Sequence, residues 1–455
     1  MKAIQFHNEK QAIVSHLNAL TNRVNRCHPV TTYGRIEQVT GLVIEATGPL
    51  ASLGDVCQIE SGREQGRFPA EVVGFRGNTT LLMPYADPEG LRPGSRVVSE
   101  GRPMRVPVGH GLRGRVINAL GVPIDGKGPI RFQDQVSYKA TPPHPLHRRP
   151  IDQAFSTGIK AIDTFIPCGI GQRMGIFAGS GVGKSTLLGM MAGHSEADAV
   201  VIALIGERGR EVREFIEHDM SPEARAKSVV VVATSDEPPI MRLKGAYAAM
   251  SIAEQFRKEQ QNVLLMMDSV TRFAMAQREL GLSVGELPAT KGYTPSVFST
   301  LPQLLERAGC DRSGAITGLF TVLVEGDDMS DPIADTVRSI LDGHIVLSRQ
   351  LAFEGHYPAI DILQSISRLA KSLTPAEAMP IVNEARNVLS TYQKNQEVIR
   401  LGVYKPGSNP EIDHAITVYP KLQALLKQRV EEGSSITDAQ DHLRAIIQSH
   451  RLPQA

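Results

Sequence analysis

Hydrophobic residues in the middle of the chain occur in short unbroken runs, separated by longer stretches of helical character. The runs predict strands at 173–178, 200–205, 228–233, 263–267, 315–324 and 344–348. Between two of them, residues 245–258 predict a helix. Apolar runs without alternation are typical of strands buried on both faces, so we expect an α/β domain with a mostly parallel sheet over residues 99–373.

The pattern differs on both sides of this domain. From Tyr33 to Val98, short β-rich runs such as 41–46, 70–75 and 80–84 are bounded by Gly, Asp, Asn or Pro. They predict a small antiparallel β-barrel over residues 26–98. After Pro375 the apolar residues return to helical spacing, which predicts a helical domain over residues 374–455.

Two further segments are less regular. Residues 1–25 carry Ile13, Leu17, Leu20 and Val24 at helical spacing, which predicts one amphipathic helix. That helix either packs on its own domain or docks on a partner or a membrane surface. Residues 102–150 are rich in Gly and Pro and predict a long irregular connection.

Composition narrows the class of protein. The formal net charge is +1, which argues against a strongly basic nucleic-acid surface, so we expect no nucleic-acid partner. The 4 cysteines show no Cys-x-x-Cys spacing, as is typical of a reducing compartment. The first residues lack the uninterrupted apolar stretch of a signal peptide, and no window of about 18 residues is apolar without charge. We therefore expect a soluble cytosolic protein.

The most informative motif is Ala-Gly-Ser-Gly-Val-Gly-Lys-Ser at 178–185, between a predicted strand and a predicted helix. Strand, glycine loop and helix in this order are the context of a phosphate-binding loop. We expect the backbone of Gly179, Ser180, Gly181, Val182 and Gly183, continuing to Thr186, to surround nucleotide phosphates. Lys184 would bind the β- and γ-phosphates and Ser185 would bind Mg²⁺, with Ala178 replacing the usual first glycine.

Two other segments supply candidate chemistry. Asp268 ends the predicted strand 263–267, at the sheet edge where nucleotides bind, and would hold the Mg²⁺ shell with Ser185. Glu207 follows the strand 200–205 and is a candidate for polarising the attacking water, with Arg208 near the γ-phosphate. Taken alone, the composition of the segment 206–211 favours a charged helix start.

Together these motifs resemble one family. The phosphate loop, Gly-Glu-Arg-Gly-Arg-Glu at 206–211 and Leu-Met-Met-Asp-Ser-Val-Thr-Arg at 265–272 resemble the catalytic subunits of rotary ATP synthases. Within that family the chain is most similar to the ATPases of bacterial type III protein export. Further similar stretches lie at 292–298, 304–309, 321–328, 340–349 and 356–361. The resemblance implies a β-barrel, a RecA-like ATPase domain and a C-terminal helical domain, with ATP and Mg²⁺ bound.

The resemblance also assigns roles to individual residues. It implies that Glu207 is the catalytic carboxylate and that Arg208 and Arg272 lie near the γ-phosphate. Tyr357 would stack on adenine, with Tyr404 as a candidate for a second aromatic contact. Arg368 would be an arginine finger that reaches the nucleotide of the neighbouring subunit, which implies a homohexameric ring.

The implied partners are a regulator that binds the N-terminal segment, a central stalk-like protein, a membrane export gate and chaperone–substrate complexes. The implied location is the cytoplasm, peripherally at the inner membrane. Flagellum assembly is our main hypothesis, and the virulence injectisome ATPase is the alternative. An ATP synthase catalytic subunit, a hexameric RNA helicase and a non-enzymatic ring protein remain less favoured alternatives.

Overall fold

The computed structural model describes residues 32–60, 66–324 and 331–450, together with Leu17 and Thr21. The amphipathic helix predicted over residues 1–25 lies, apart from those two residues, outside the described part of the chain. The described chain divides into two compact units, at residues up to Pro103 and from Met104 onward. No helix in the described residues is long and apolar enough to cross a membrane.

The first unit is a closed antiparallel barrel, as predicted. Its strands are β1 (Tyr33–Thr40), β2 (Val43–Thr47), β3 (Asp55–Glu60), β4 (Arg67–Arg76), β5 (Thr79–Pro84) and β6 (Arg96–Pro103). They close in the order β1-β2-β5-β4-β3-β6 around a core that includes Ile44, Ile59 and Leu82. Strand β6 continues past the predicted boundary at residue 98.

The second unit is built on one large sheet. Its members are β8 (Arg115–Asn118), β12 (Arg173–Ala178), β13 (Ala199–Ile205), β14 (Ser228–Ala233), β15 (Asn262–Asp268), β17 (Ala315–Leu323), β18 (Gly343–Leu347) and β19 (Ile360–Ser367). They lie in the order β19-β18-β12-β17-β15-β13-β14-β8. From β18 to β8 all neighbours are parallel, and β19 is antiparallel to β18. The short strand β16 (Gly309–Cys310) pairs with β17. Each strand predicted from the apolar runs is confirmed to within about one residue at either end.

Helices cover the sheet and continue into the C-terminal region. They are α1 (Lys160–Phe165), α2 (Lys184–His194), α3 (Gly209–Glu214), α4 (Pro222–Lys227), α5 (Pro239–Lys258), α6 (Val270–Val284), α7 (Pro295–Leu305), α8 (Pro332–Ile340), α9 (Arg349–Phe353), α10 (Ala370–Leu373), α11 (Met379–Arg400), α12 (Pro410–Leu426) and α13 (Ile436–Gln448). Helices α11 to α13 form the predicted C-terminal helical domain. They share one hydrophobic core with the nucleotide-binding region, in which Ala385, Leu422 and Ile447 are buried.

The expectation of an irregular connection over residues 102–150 is wrong. This stretch contains β7 (Arg105–Val108) and β9 (Asp134–Ser137), which pair with each other, and β8, which forms one edge of the main sheet. Val106, Val108 and Ile117 are fully buried. The strands were not predicted because runs of about four residues between glycines and prolines carry too little periodicity. A third small pair, β10 (Ala154–Phe155) with β11 (Cys168–Gly169), precedes β12.

A buried ion pair joins three parts of this unit. Arg307, only 1% exposed, donates from Nε and Nη2 to the two carboxylate oxygens of Glu254 on α5, each at 2.8 Å. It also donates to the Tyr138 carbonyl at 2.9 Å and to the Ser251 hydroxyl at 2.9 Å. The Arg307 guanidinium thus has hydrogen-bond partners on several sides. Its loss would leave the buried carboxylate of Glu254 without this partner.

Arg307→Leu is therefore expected to lower the free energy of unfolding by about 3–5 kcal/mol. Chemical denaturation followed by circular dichroism measures the change. The matched control is Arg213→Leu, which removes the exposed pair with Glu217 and is expected to cost at most about 1 kcal/mol. Equal decreases in the free energy of unfolding would show that the buried Arg307 contacts stabilise the protein no more than an exposed ion pair does.

Candidate active site

The phosphate loop lies at the carboxyl edge of the parallel sheet. Strand β12 ends at Ala178 and α2 begins at Lys184, so the glycine-rich segment connects them directly. Gly181 and Gly183 have φ values of 78° and 86°, in the left-handed region that favours glycine. A loop of this shape before a helix N-terminus directs backbone N–H groups toward one point, where an anion is stabilised.

Lys184 reaches across the edge to the next strands. Its Nζ donates to Asp268 Oδ1 at 2.6 Å and lies 3.5 Å from Glu207 Oε1. Asp268 is 3% exposed and also accepts a hydrogen bond from the Thr321 hydroxyl at 2.7 Å. The three elements meet because β12, β17, β15 and β13 are parallel neighbours, so that the loops after them emerge on one side.

Burial and charge shape the protonation of this cluster. Burial disfavours the ammonium of Lys184, but Asp268 and Glu207 outweigh that effect and raise its pKa above the ordinary value. Burial, assisted by the charges of Asp268 and Glu211, raises the pKa of Glu207 to about 7, although Lys184 opposes the shift. Glu207 Oε1 is buried and accepts no hydrogen bond from the described residues. Its carboxylate is thus suited to exchange a proton near neutral pH.

The donor set fits a magnesium–nucleotide. A buried ammonium, a carboxylate at a strand end and a serine at position 185 in the first turn of α2 are the groups that hold phosphates and a hard cation. The buried Oε1 of Glu207, which accepts no hydrogen bond from the described residues, lies beside them at 3.5 Å from Lys184 Nζ.

A cavity of about 490 Å³ adjoins the phosphate loop and could hold the base. Its lining residues are Gly183, Thr186, Leu187, Met190, Tyr357, Pro358, Gln428, Arg429, Val430 and Glu431. A Cβ added at Gly183 would come within 3.4 Å of the Tyr357 ring, so the loop and the ring are in close approach. The wall at 428–431 was missed by the sequence analysis, because these residues belong to no motif. Gln428 fixes it by donating its backbone N–H to the Tyr357 carbonyl at 3.0 Å.

Other predicted site residues are placed differently. Arg272 packs against Gly206, where a Cβ would come within 2.7 Å of the Arg272 Cβ, and so lies beside the Glu207 loop. The Thr186 hydroxyl donates to Asp219 at 3.0 Å. The Arg208 side chain is 80% exposed and lies 3.6 Å from Glu211, so the structure does not bring it into the Lys184 cluster.

Two residues lie away from the cluster. Tyr404 donates its hydroxyl to the Asn409 carbonyl at 2.9 Å and is not among the residues that line the 490 Å³ cavity. Arg368 follows β19, the edge strand, and is exposed; its Nη2 donates to the Arg338 carbonyl at 3.2 Å. Within one chain, the contacts described for Arg368 therefore do not include the phosphate loop or the Lys184 cluster.

Thr321 contacts the cluster but was not identified by the sequence analysis. Met267 pairs with Phe320 in the parallel register, so Asp268, the last residue of β15, lies beside Thr321 within β17. Thr321 lies inside an apolar run, and only the pairing of β15 with β17 shows that its hydroxyl contacts Asp268.

Comparison with known families identifies this arrangement. Residues 158–367 match the nucleotide-binding domain of the ATP synthase alpha/beta family, and residues 36–101 match the β-barrel domain of that family. Residues 374–445 match the C-terminal domain of the type III secretion ATPase EscN.

Individual relatives agree with these matches. The chain is 53% identical over 408 residues to the flagellum-specific ATP synthase of Bacillus subtilis, covering 90% of this chain and 93% of that protein. It is 49% identical over 429 residues to the flagellum-specific ATP synthase of Salmonella typhimurium, covering 92% and 93%. It is 45% identical over 414 residues to the type 3 secretion system ATPase of Xanthomonas euvesicatoria, covering 91% and 94%.

Among solved structures, the assembled ATPase EscN of enteropathogenic Escherichia coli superimposes with a TM-score of 0.86 at 44% identity. That match covers 91% of this chain and 99% of the EscN chain. EscN in complex with its central stalk EscO gives a TM-score of 0.84 at 43% identity. The sequence, the fold and the phosphate-loop geometry agree, and the chain belongs to the type III export ATPase branch of the ATP synthase alpha/beta family and is an ATPase.

Proposed function

We propose that this ATPase energises type III protein export during assembly of the bacterial flagellum, as a homohexameric ring with its active sites between neighbouring subunits. The observation that carries the ring is the separation within one chain of the Lys184 cluster from the exposed Arg368. A site that needs both groups requires a second copy of the chain. The assembled state of EscN supports the same arrangement.

Each residue then has a defined role in hydrolysis. Lys184 and the backbone N–H groups of 179–186 bind the phosphates, and Tyr357 stacks on the adenine. Ser185 and Asp268 would hold Mg²⁺, which would neutralise charge on the phosphate oxygens. Glu207 orients the attacking water and accepts its proton as the water oxygen bonds to the γ-phosphorus and the bond to ADP breaks.

Charge develops on the γ-phosphoryl oxygens as that bond breaks. Arg272 lies beside the Glu207 loop and would act from within the subunit, whereas Arg368 of the neighbouring copy would act across the interface. An arginine supplied in trans contributes roughly 10³–10⁵ to the rate in known phosphoryl-transfer systems. We assign no such contact to Arg208 in the present geometry, because its side chain is largely exposed.

Flagellar export is favoured by the names of the relatives. Flagellum-specific ATP synthases from Bacillus subtilis, Treponema pallidum and Salmonella typhimurium are 53%, 51% and 49% identical to the chain. The injectisome remains the second candidate, because the C-terminal region matches the EscN domain. The EscN–EscO complex supports a central stalk as a partner. A regulator on the N-terminal segment, the export gate and chaperone–substrate complexes complete the proposed set, at the cytoplasmic face of the inner membrane.

An RNA helicase role is less well supported. It requires exposed aromatic side chains on a basic platform. In the barrel, Tyr33 and Phe75 are exposed, but Tyr85 is buried and donates to the Glu71 carboxylate at 2.5 Å. Exposed carboxylates such as that of Glu37 give this surface a mixed charge rather than a basic one.

The pH dependence of turnover tests the role of Glu207. Its pKa is raised to about 7, and only the unprotonated carboxylate can accept a proton from water, so kcat/KM should fall as pH decreases below about 7. Steady-state hydrolysis measured from about pH 5.5 to 8.5 gives the profile. In Glu207→Gln the rate should be low and this decline absent, while the titration of ATP itself affects both proteins equally. An identical decline in the two proteins would refute the assignment.

Lys184→Ala and Arg368→Ala should separate nucleotide binding from turnover. Loss of Lys184 removes a ground-state phosphate contact and weakens both, whereas loss of Arg368 acts mainly in the transition state. Arg368→Ala should therefore lower kcat about 10³-fold or more and change the nucleotide Kd by less than about threefold. Fluorescence titration with a labelled nucleotide and phosphate-release assays measure the two quantities.

The same variants test the export role in the native cell. Replacement of the gene by either variant should abolish secretion of flagellar filament protein and motility, with the wild-type gene as control. Intact flagellar secretion together with loss of needle-complex secretion would instead select the injectisome.

A further inference from the structure

We propose that the ion pair between Arg173 and Asp342 positions the Arg368 finger for the nucleotide of the neighbouring subunit. This inference rests on the proposed interface site and adds two positioning residues to it. Neither residue contacts the Lys184 cluster in the described structure; both act through the backbone and side chain of Arg368.

The first step is the attachment of Asp342 to the start of β12. Arg173 donates from Nε to Asp342 Oδ2 at 3.0 Å and from Nη2 to Oδ1 at 3.1 Å. The Arg173 backbone N–H donates to Oδ2 at 3.2 Å, and the Asp342 N–H donates to the Arg173 carbonyl at 2.9 Å. The side chains are 14% and 26% exposed, so this fork-shaped pair is largely shielded from solvent. Arg173 Nη1 also pairs with Glu306, a contact that Asp342→Asn leaves in place.

The second step links Asp342 to the finger. The Asp342 carbonyl accepts the backbone N–H of Arg368 at 3.0 Å and the Gln172 amide at 3.1 Å. Gln172 is fully buried, and its amide also donates to the Ser367 hydroxyl at 3.1 Å. Arg368 and the preceding Ser367 are therefore held by Asp342 and by Gln172, which is adjacent to Arg173 in the chain.

The third step concerns the guanidinium itself. Arg368 Nη2 donates to the carbonyl of Arg338, in the last turn of α8, which leads directly into Asp342. The backbone and the side chain of Arg368 are thus both hydrogen-bonded to one short segment, residues 338–342. Arg173 connects that segment to the start of β12. If the ion pair is lost and the segment moves, both hydrogen bonds of Arg368 move with it. A displacement of about 1 Å at a catalytic group can lower a rate about 100-fold.

The arrangement has a consequence for the ring. Strand β12 begins at Arg173 and ends in the phosphate loop. In each subunit, the strand that leads into the subunit's own phosphate loop therefore also positions Arg368. Arg368 in turn acts at the nucleotide site of the neighbouring subunit.

The test is Asp342→Asn, which removes the charge and one acceptor while preserving shape. Rings should assemble normally and bind nucleotide with a Kd within about twofold of wild type, whereas kcat should fall about 10–100-fold. Arg173→Lys keeps the charge but loses the fork, and should give an intermediate kcat.

A matched control exists on the other side of the same sheet. Arg115 on β8 donates to both oxygens of Asp125, at 2.7 and 2.9 Å, and β8 and β19 are the opposite edges. Asp125→Asn removes a similar pair and should leave kcat within about twofold. An equal fall in kcat for Asp125→Asn and Asp342→Asn would show general destabilisation and overturn the proposal.

Mixed rings distinguish a finger defect from a defect in the subunit's own site. Lys184→Ala subunits keep a normal finger, and Asp342→Asn subunits keep a normal phosphate loop. When they are mixed as monomers before assembly, about one interface in four joins the intact halves, so activity should exceed the mean of the separate preparations. Absence of recovery would overturn the positioning role.

The reference mixture is Lys184→Ala with Arg368→Ala. If it recovers activity and the Asp342→Asn mixture does not, the proposed interface site stands and the positioning role falls. If the reference mixture also fails, the shared site itself is refuted, and the present proposal with it.

Discussion

The contact of Lys184 with Asp268 is the interaction on which the rest of the site depends. An ammonium and a carboxylate 2.6 Å apart, both shielded from water, require that two strands end at the same level on the same side of a sheet. The parallel order of β12, β17 and β15 provides this geometry. A charge pair of this kind is stable while buried because each partner compensates the charge of the other.

Glu207 shows how the same environment produces reactivity. The burial that keeps Asp268 and Lys184 paired leaves one oxygen of Glu207 without a hydrogen bond and raises its pKa to about 7. A carboxylate in water would be too weak a base at neutral pH. In the proposed mechanism, desolvation and a neighbouring negative charge make Glu207 the proton acceptor. Arg368, the proposed finger, is the opposite case, because it is exposed and its hydrogen-bond partners are Arg338 in α8 and Asp342, the residue before β18.

Much of this could be predicted from the sequence, for physical reasons. The runs at 173–178 and 263–267 are apolar throughout, so their burial in a parallel sheet and the position of Asp268 at its edge followed directly. The position of Glu207 after the strand 200–205 made it a candidate, and motif similarity supplied the proposed roles of Tyr357 and Arg368, which no local pattern indicates. Contacts between distant segments could not be predicted, because they depend on strand order. Thr321 beside Asp268, the cavity wall at 428–431 and the attachment of Asp342 to Arg173 are of this kind. In the structure, Arg208 lies outside the Lys184 cluster and Tyr404 does not line the cavity beside the phosphate loop. The family resemblance had suggested contacts with the γ-phosphate and with adenine.

The central claim is that two neighbouring copies of the chain complete one ATPase site, and a dilution series tests it most directly. Specific activity and molecular mass are measured on the same samples, across concentrations that span ring assembly. The account predicts that monomers bind nucleotide but hydrolyse almost none, and that activity rises steeply with the fraction assembled. Specific activity that stays constant while rings dissociate would contradict it.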